Sequence, residues 1–177
     1  MREAVLALTR QRHKRFNRTV FHLEPDIKDS PGGLRDATAI RLLRRMGKMS
    51  EADRSDIDAG RLEEAEDFML RIRSILHMER GRNLNTLNHE LQEIVATVFG
   101  SPGSQMRSKV EALMSTYFHH AQLISRVLAT VLKSSEAPPN ATTTPVDDEL
   151  EMSWDGIRFI DGTRASLQPH TWLKPFE

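Results

Sequence analysis

The chain has 177 residues, no cysteine, and 25 basic against 25 acidic residues, so its formal net charge is zero. That length suits one domain with a real core, or a domain plus a tail. The lack of cysteine removes disulfides, thiolate zinc sites and a cysteine nucleophile and fits a reducing compartment, while the charge balance argues against a dedicated nucleic-acid binder. No apolar run reaches the roughly 18 residues that span a bilayer. The start, Met1 to Leu8, is charged too early for a signal peptide. A soluble, cytoplasmic protein without a membrane partner is expected. Low aromatic and high Leu, Met, Arg and Glu content favours helices over strands.

Residues 1 to 15 read as a helix with a basic end, Arg10, Arg12, His13, Lys14 and Arg15. Thr19-Val20-Phe21-His22-Leu23 is a short β-prone run. Glu24 to Gly33 holds Pro25, Pro31 and the Gly32-Gly33 pair and cannot be helical. Four apolar stripes at helical spacing follow: Leu34, Ala37, Ile40 and Leu43; then Leu62, Ala65, Met69, Ile72 and Leu76. The third is Leu84, Leu87, Leu91, Ile94 and Val98. The fourth runs from Val110 through Leu113, Tyr117, Ala121, Ile124 and Leu128 to Val131. One-sided helices on short connections make a bundle.

From Ser134 to Pro145 apolar bulk nearly vanishes, as in an extended linker. Beyond it, Leu150–Trp154 and Ile157–Ile160 flank Asp155-Gly156, a hairpin signal. The expected fold is therefore mainly α: a helical bundle with a short N-terminal strand and Gly-rich loop, and a C-terminal β-hairpin after a linker. No internal repeat is present.

The most specific stretch is Glu24-Pro25-Asp26-Ile27-Lys28-Asp29-Ser30-Pro31-Gly32-Gly33-Leu34-Arg35-Asp36. A helix begins directly after the glycines, and amides at such a start offer an anion site. Lys28 and Arg35 would add charge-assisted bonds to a phosphate or carboxylate. The plainer alternative is a Gly-rich connection whose charges pair with each other, Lys28 with Asp36 for example.

This stretch resembles the Glu-Pro-Asn-Ile-Lys-x-x-Pro-Gly-Gly-Leu-Arg-Asp signature of bacterial protein-PII uridylyltransferases. The related glutamine synthetase adenylyltransferases carry a looser version. Asp26 stands where Asn is usual, and Asp29-Ser30 replaces a common Glu-Gly. Further matches are Arg12-His13 and the helix containing Ala65, Phe68, Arg73, Leu76 and His77, with Met69 for Leu. Gly81-Arg82, Leu87, Gln92 and Ala96 fit too, with Glu90 for Asp and a Phe absent. Tyr117, His119 or His120, and Ala121 resemble a Tyr-Tyr-x-His-Ala helix. Asp155-Gly156 and Asp161-Gly162 look like the approach to a next domain.

The resemblance implies the helical domain that follows a nucleotidyltransferase core, in an enzyme that uridylylates PII from UTP and magnesium. It divides the chain into a core edge at 1–33, a bundle at 34–133, a linker at 134–147 and a hairpin segment at 148–177. The family's Gly-Ser turn and Asp-x-Asp metal pair lie upstream of the loop, and only 27 residues precede Lys28. Asp56 and Asp58 imitate that pair, but Gly47 and Ser50 are separated and no β-branched strand surrounds them, so a solvated acidic turn is the better reading. The family also carries a downstream metal-dependent hydrolase domain that removes uridylyl groups, and its His-Asp dipeptide is missing here as well. No catalytic residue or metal ligand is assigned.

Lys28 and Arg35 are expected to contact an anion, Gly32 and Gly33 to shape the loop, and Asp36 to orient it. Glu24, Arg73 and His77 are expected near a cleft. His119 and His120 point about 100° apart on a helix and do not share an ion easily. No tightly bound cofactor is expected on this chain alone; a piece of a transferase completed by a core in cis is. The competing reading is a non-catalytic helical module that binds PII or a nucleotide.

Overall fold

The computed structural model describes residues 2–46, 59–81, 84–136, 142–153 and 156–160. Asp56, Asp58, Arg82, Trp154, Asp155, Asp161 and Gly162 lie outside the described residues. Two compact units are formed, Met1–Ser135 and Glu136–Glu177. Among the described residues, no helix is long and apolar enough to cross a membrane.

The first unit is helical: α1 (Arg2–Arg15), α2 (Leu34–Met46), α3 (Ala59–Arg80), α4 (His89–Val98) and α5 (Met106–Glu136). Helix α1 packs on α2, α2 on α3, and α3 on α4. The stripes read from the sequence turn inward. Ala37, Ile40 and Leu43 of α2, Ala65, Met69, Ile72 and Leu76 of α3, and Leu113, Tyr117, Ala121, Ile124, Leu128 and Val131 of α5 are buried in one apolar cluster. Each Leu, Ile, Val or Met among them contributes about 1.5–3 kcal/mol when its side chain is fully removed from water. Arg41 and Glu66 pair where α2 meets α3.

The third stripe starts later than its spacing suggests. Leu84 and Leu87 belong to an extended segment, and α4 begins at His89. Asn88 fixes that start, its side chain accepting from Leu91 N at 3.0 Å. The face of α4 that goes inside is Leu91, Gln92, Val95 and Ala96, while Val98 is exposed. Equal spacing across an extended-to-helical change had merged two elements into one stripe.

The short strand expected at 19–23 is not formed. Helix α1 ends in a turn with Asn17 and Arg18 both in the left-handed region, at φ 52° and 55°. Arg18 N donates to His13 O at 2.9 Å, closing the helix end. Local turns then replace a ladder, with His22 N donating to Val20 O and Phe21 N to Thr19 Oγ1. Val20 tucks into the core, whereas Phe21 and Leu23 stay exposed. A β-prone run without a neighbouring strand has nothing to pair with. The one strand-like pairing nearby is an isolated bridge, Asp26 with Thr86.

The second unit carries an antiparallel sheet of three strands, β1 (Thr144–Pro145), β2 (Leu150–Ser153) and β3 (Gly156–Phe159), in that order. The expected hairpin is β2–β3. Its register pairs Ser153 with Gly156, one residue short of a turn centred on Asp155-Gly156. Strand β1 lies within the expected linker; it is added through a turn in which Asp147 Oδ1 accepts from Glu149 N and Leu150 N, both at 2.7 Å. Ser134 to Glu136, also read as linker, continue α5.

Tyr117, the single tyrosine of the chain, is fully buried on α5. Burial pushes its hydroxyl up to about 12; the nearby Ser30 hydroxyl opposes this and the Asp26 carboxylate adds to it. Ser30 Oγ already donates to Asp26 O at 2.6 Å, and the Tyr117 hydroxyl completes no hydrogen bond. The unfolded phenol ionises near 10.0 and the folded one near 12. Stability is therefore complete below pH 10 and is lost as pH rises toward 12, by about 2–3 kcal/mol in all. Tyr117→Phe removes that alkaline loss and leaves neutral-pH stability equal or higher, because a buried hydroxyl without a partner costs about 1–3 kcal/mol. Denaturant titrations across this range, with phenolate absorbance as a second readout, check it; an unchanged alkaline loss in Tyr117→Phe would contradict it.

Candidate functional site

The loop from Glu24 to Gly33 is built by short-range bonds. Asp26 Oδ1 accepts from Lys28 N at 2.9 Å and Asp29 N at 2.6 Å, a side chain standing in for a turn of backbone. Asp26 O accepts from Ser30 N as well as Ser30 Oγ. The loop is stitched to the segment before α4: Ile27 N donates to Asn85 O at 2.8 Å, and Leu87 N to Pro25 O at 2.9 Å. Ile27 is completely buried beneath it.

The glycine pair is required by close packing. Gly32 adopts φ +77°, and a Cβ there would stand 2.3 Å from Ala121 O, on the backbone of α5. A Cβ on Gly33 would stand 2.7 Å from Ile27 O. These glycines let the loop touch a helix and fold back on itself.

The amides at the start of α2 are not open to an anion, contrary to the expectation drawn from the glycines. Gly32 N donates to Asp36 Oδ2 at 2.7 Å and Gly33 N to Ser30 O at 2.9 Å. Leu34 N and Arg35 N donate to Ile27 O and Lys28 O, each at 3.0 Å. A folded-back loop uses the donors that an open phosphate loop leaves free.

Asp36 is fully buried and takes no part in a pair with Lys28. Its Oδ1 accepts from Arg12 Nη2 at 2.6 Å, and His13 Nε2 lies 2.9 Å from both carboxylate oxygens. Arg12 also donates through Nη1 to Asp29 O at 3.0 Å. Helix α1, the loop and α2 thus meet at one carboxylate. Arg12-His13 carried the family resemblance in the sequence but no structural role; only the fold supplies the partner 24 positions away.

Lys28 is half-buried, and its ammonium makes no bond or ion pair among the described residues. Arg35 is exposed, with Nε 2.7 Å from Asp29 Oδ1, an ionic contact whose angle falls short of a hydrogen bond. A pocket of about 230 Å³ opens between Arg12, Arg15, Phe16, Asp29 and Arg35. Arg15 belongs to the basic end of α1, which the sequence alone offers as a solvated helix end; its mate in the pocket, Arg35, is 20 residues on, across a loop whose fold had to be known.

Of the residues expected near a cleft, Glu24 and Arg73 are braces. Glu24 Oε1 accepts from His89 N at 3.1 Å, at the start of α4. Arg73 Nε donates to Asn85 Oδ1 at 2.9 Å and so steadies the segment that pairs with the loop. Gln92, buried, donates to Leu23 O at 2.7 Å and Leu87 O at 3.0 Å. His77 Nε2 is buried without a hydrogen-bond partner. His120 stacks on Phe68 with ring centroids 4.7 Å apart; burial holds its imidazole below its ordinary pKa, Glu64 opposing and His119 reinforcing. His119 is exposed. Among the described residues, no group of three or more His, Asp or Glu side chains is placed to hold a metal ion.

Arg12→Ala leaves the Asp36 carboxylate buried with one cationic partner fewer. It is expected to cost about 3–5 kcal/mol in urea denaturation of the chain. A loss below about 1 kcal/mol, typical of exposed pairs, would show that the carboxylate does not organise the loop.

The chain matches the family described as GlnD PII-uridylyltransferase over residues 2–132. A bifunctional uridylyltransferase/uridylyl-removing enzyme of Thiobacillus denitrificans is 32% identical over 97% of this chain and 21% of its own length. A protein of the same description from Burkholderia orbicola is 32% identical over 72% of this chain and 16% of its own. One from Cupriavidus pinatubonensis is 29% identical over 98% and 21%. No solved structure matches. The chain spans about a fifth of the length of the curated relatives it matches. A loop and helices built on the Glu24–Asp36 stretch, inside a match that covers most of the chain, place it in the PII-uridylyltransferase family.

Proposed function

We propose that this chain is the helical region of a nucleotidyltransferase that moves a uridylyl group from UTP to a PII signal protein, releasing diphosphate. On this reading residues 1–33 are the edge of the transferase core, and the loop from Glu24 to Asp36 lines the phosphate side of the nucleotide. The carboxylates that would hold magnesium belong to the rest of such an enzyme, which acts in the cytoplasm.

One observation carries the reading. The loop is fixed by Asp36, Asp26 and the contact with α5, yet Lys28 keeps an ammonium with no bond or ion pair among the described residues. A half-buried cation on a rigid frame is preorganised for an anion that the frame itself does not supply. With the backbone amides taken, the side chains of Lys28 and Arg35 would do the recognition. Glu24, Arg73 and Gln92 serve by holding the frame in place.

Lys28→Ala, made in a full-length uridylyltransferase carrying this region, is expected to slow uridylyl transfer at least about tenfold, the worth of one charge-assisted contact. Helix content and thermal midpoint should not change. Transfer at the unaltered rate would remove Lys28 from the site.

A further inference from the structure

We propose that Arg12, Arg15 and Arg35 form a binding pocket for a phosphate-type oxyanion, inorganic diphosphate or the phosphates of a nucleotide. The proposal shares Arg35 with the loop reading above; Lys28 does not line this pocket.

Three guanidinium groups and one carboxylate, Asp29, surround the pocket. They are held to different degrees. Arg12 is the fixed floor: its side chain is only 11% exposed, and two of its nitrogens are bound to Asp36 Oδ1 and Asp29 O. Arg35 is turned toward the pocket by its Nε contact with Asp29, which leaves its terminal nitrogens without a bond among the described residues. Arg15, exposed on the last turn of α1, has no bond or ion pair among the described residues. The unused donors are planar N–H forks, which match the spacing of oxygens on a phosphate.

Basic residues at a helix C-terminus are ordinary, because they complement the helix dipole. That explains Lys14 and Arg18, which face solvent. It does not explain why Arg12 and Arg15 of α1 meet Arg35 of α2 around one concavity. Like charges around one concavity repel each other; Asp36 offsets Arg12 and Asp29 offsets Arg35, which leaves the charge of Arg15 in excess. A multivalent anion relieves that repulsion. Phe16 is the one apolar side chain that lines the pocket.

The test is calorimetric titration of the 177-residue chain with inorganic diphosphate at constant ionic strength. Saturable binding is expected, weakened about tenfold or more by Arg15→Gln, an exposed substitution that spares the fold. Arg107→Gln, which removes an exposed arginine paired with Glu111 on α5, should leave affinity unchanged. No saturable binding at millimolar diphosphate, or equal weakening by the two substitutions, would overturn the proposal. UTP supplies the second arm. Displacement of diphosphate by UTP assigns the pocket to nucleotide phosphates; failure to compete assigns it to the free oxyanion. Because Lys28→Ala is read by transfer rate and Arg15→Gln by diphosphate affinity, either idea can fail without the other.

Discussion

One buried carboxylate holds the site together. Asp36 sits at the first turn of α2 with no exposure to water, which is costly for a charge unless its oxygens are fully engaged. Arg12 and His13 from α1 and the amide of Gly32 engage them. The consequence is geometric. The carboxylate draws α1 down onto the loop, and bonding Gly32 N keeps the loop in the left-handed turn that lets it touch α5 at Ala121. Position 32 must then be glycine, and the loop is gripped by elements far apart in sequence.

That grip decides what kind of binding surface the loop can be. Phosphate loops commonly recognise anions with open backbone amides. Here the amides of Gly32 through Arg35 are occupied within the protein. What the loop presents instead is the side-chain charge of Lys28 on a stiff support, while the arginine pocket lies between α1, the loop and α2. Charges exposed in this way are screened by salt.

Much of this was legible in the sequence. The helical stripes of α2, α3 and α5 gave their buried faces nearly residue by residue, because a 3.6-residue period leaves few alternatives. The Gly-rich loop was recognisable from Pro25, Pro31 and the glycine pair. Other features were hidden for identifiable reasons. Thr19 to Leu23 has strand composition, but a strand needs a neighbour, and none is formed beside it. Leu84 and Leu87 kept helical spacing while lying in an extended segment. The partners of Asp36, the brace from Arg73 to Asn85 and the meeting of Arg15 with Arg35 are tertiary facts. Local pattern names the residues in such cases but not what they touch.

The carboxylate of Asp36 locks the loop through Gly32. Hydrogen exchange at the Gly32 amide, followed by NMR on the native chain, tests it most directly. The Gly32 amide is expected to exchange only on global unfolding, as slowly as those in the middle of α5, and to become fast in Asp36→Ala while the α5 amides stay protected. A Gly32 amide that exchanges in the native chain as quickly as exposed loop amides would contradict it.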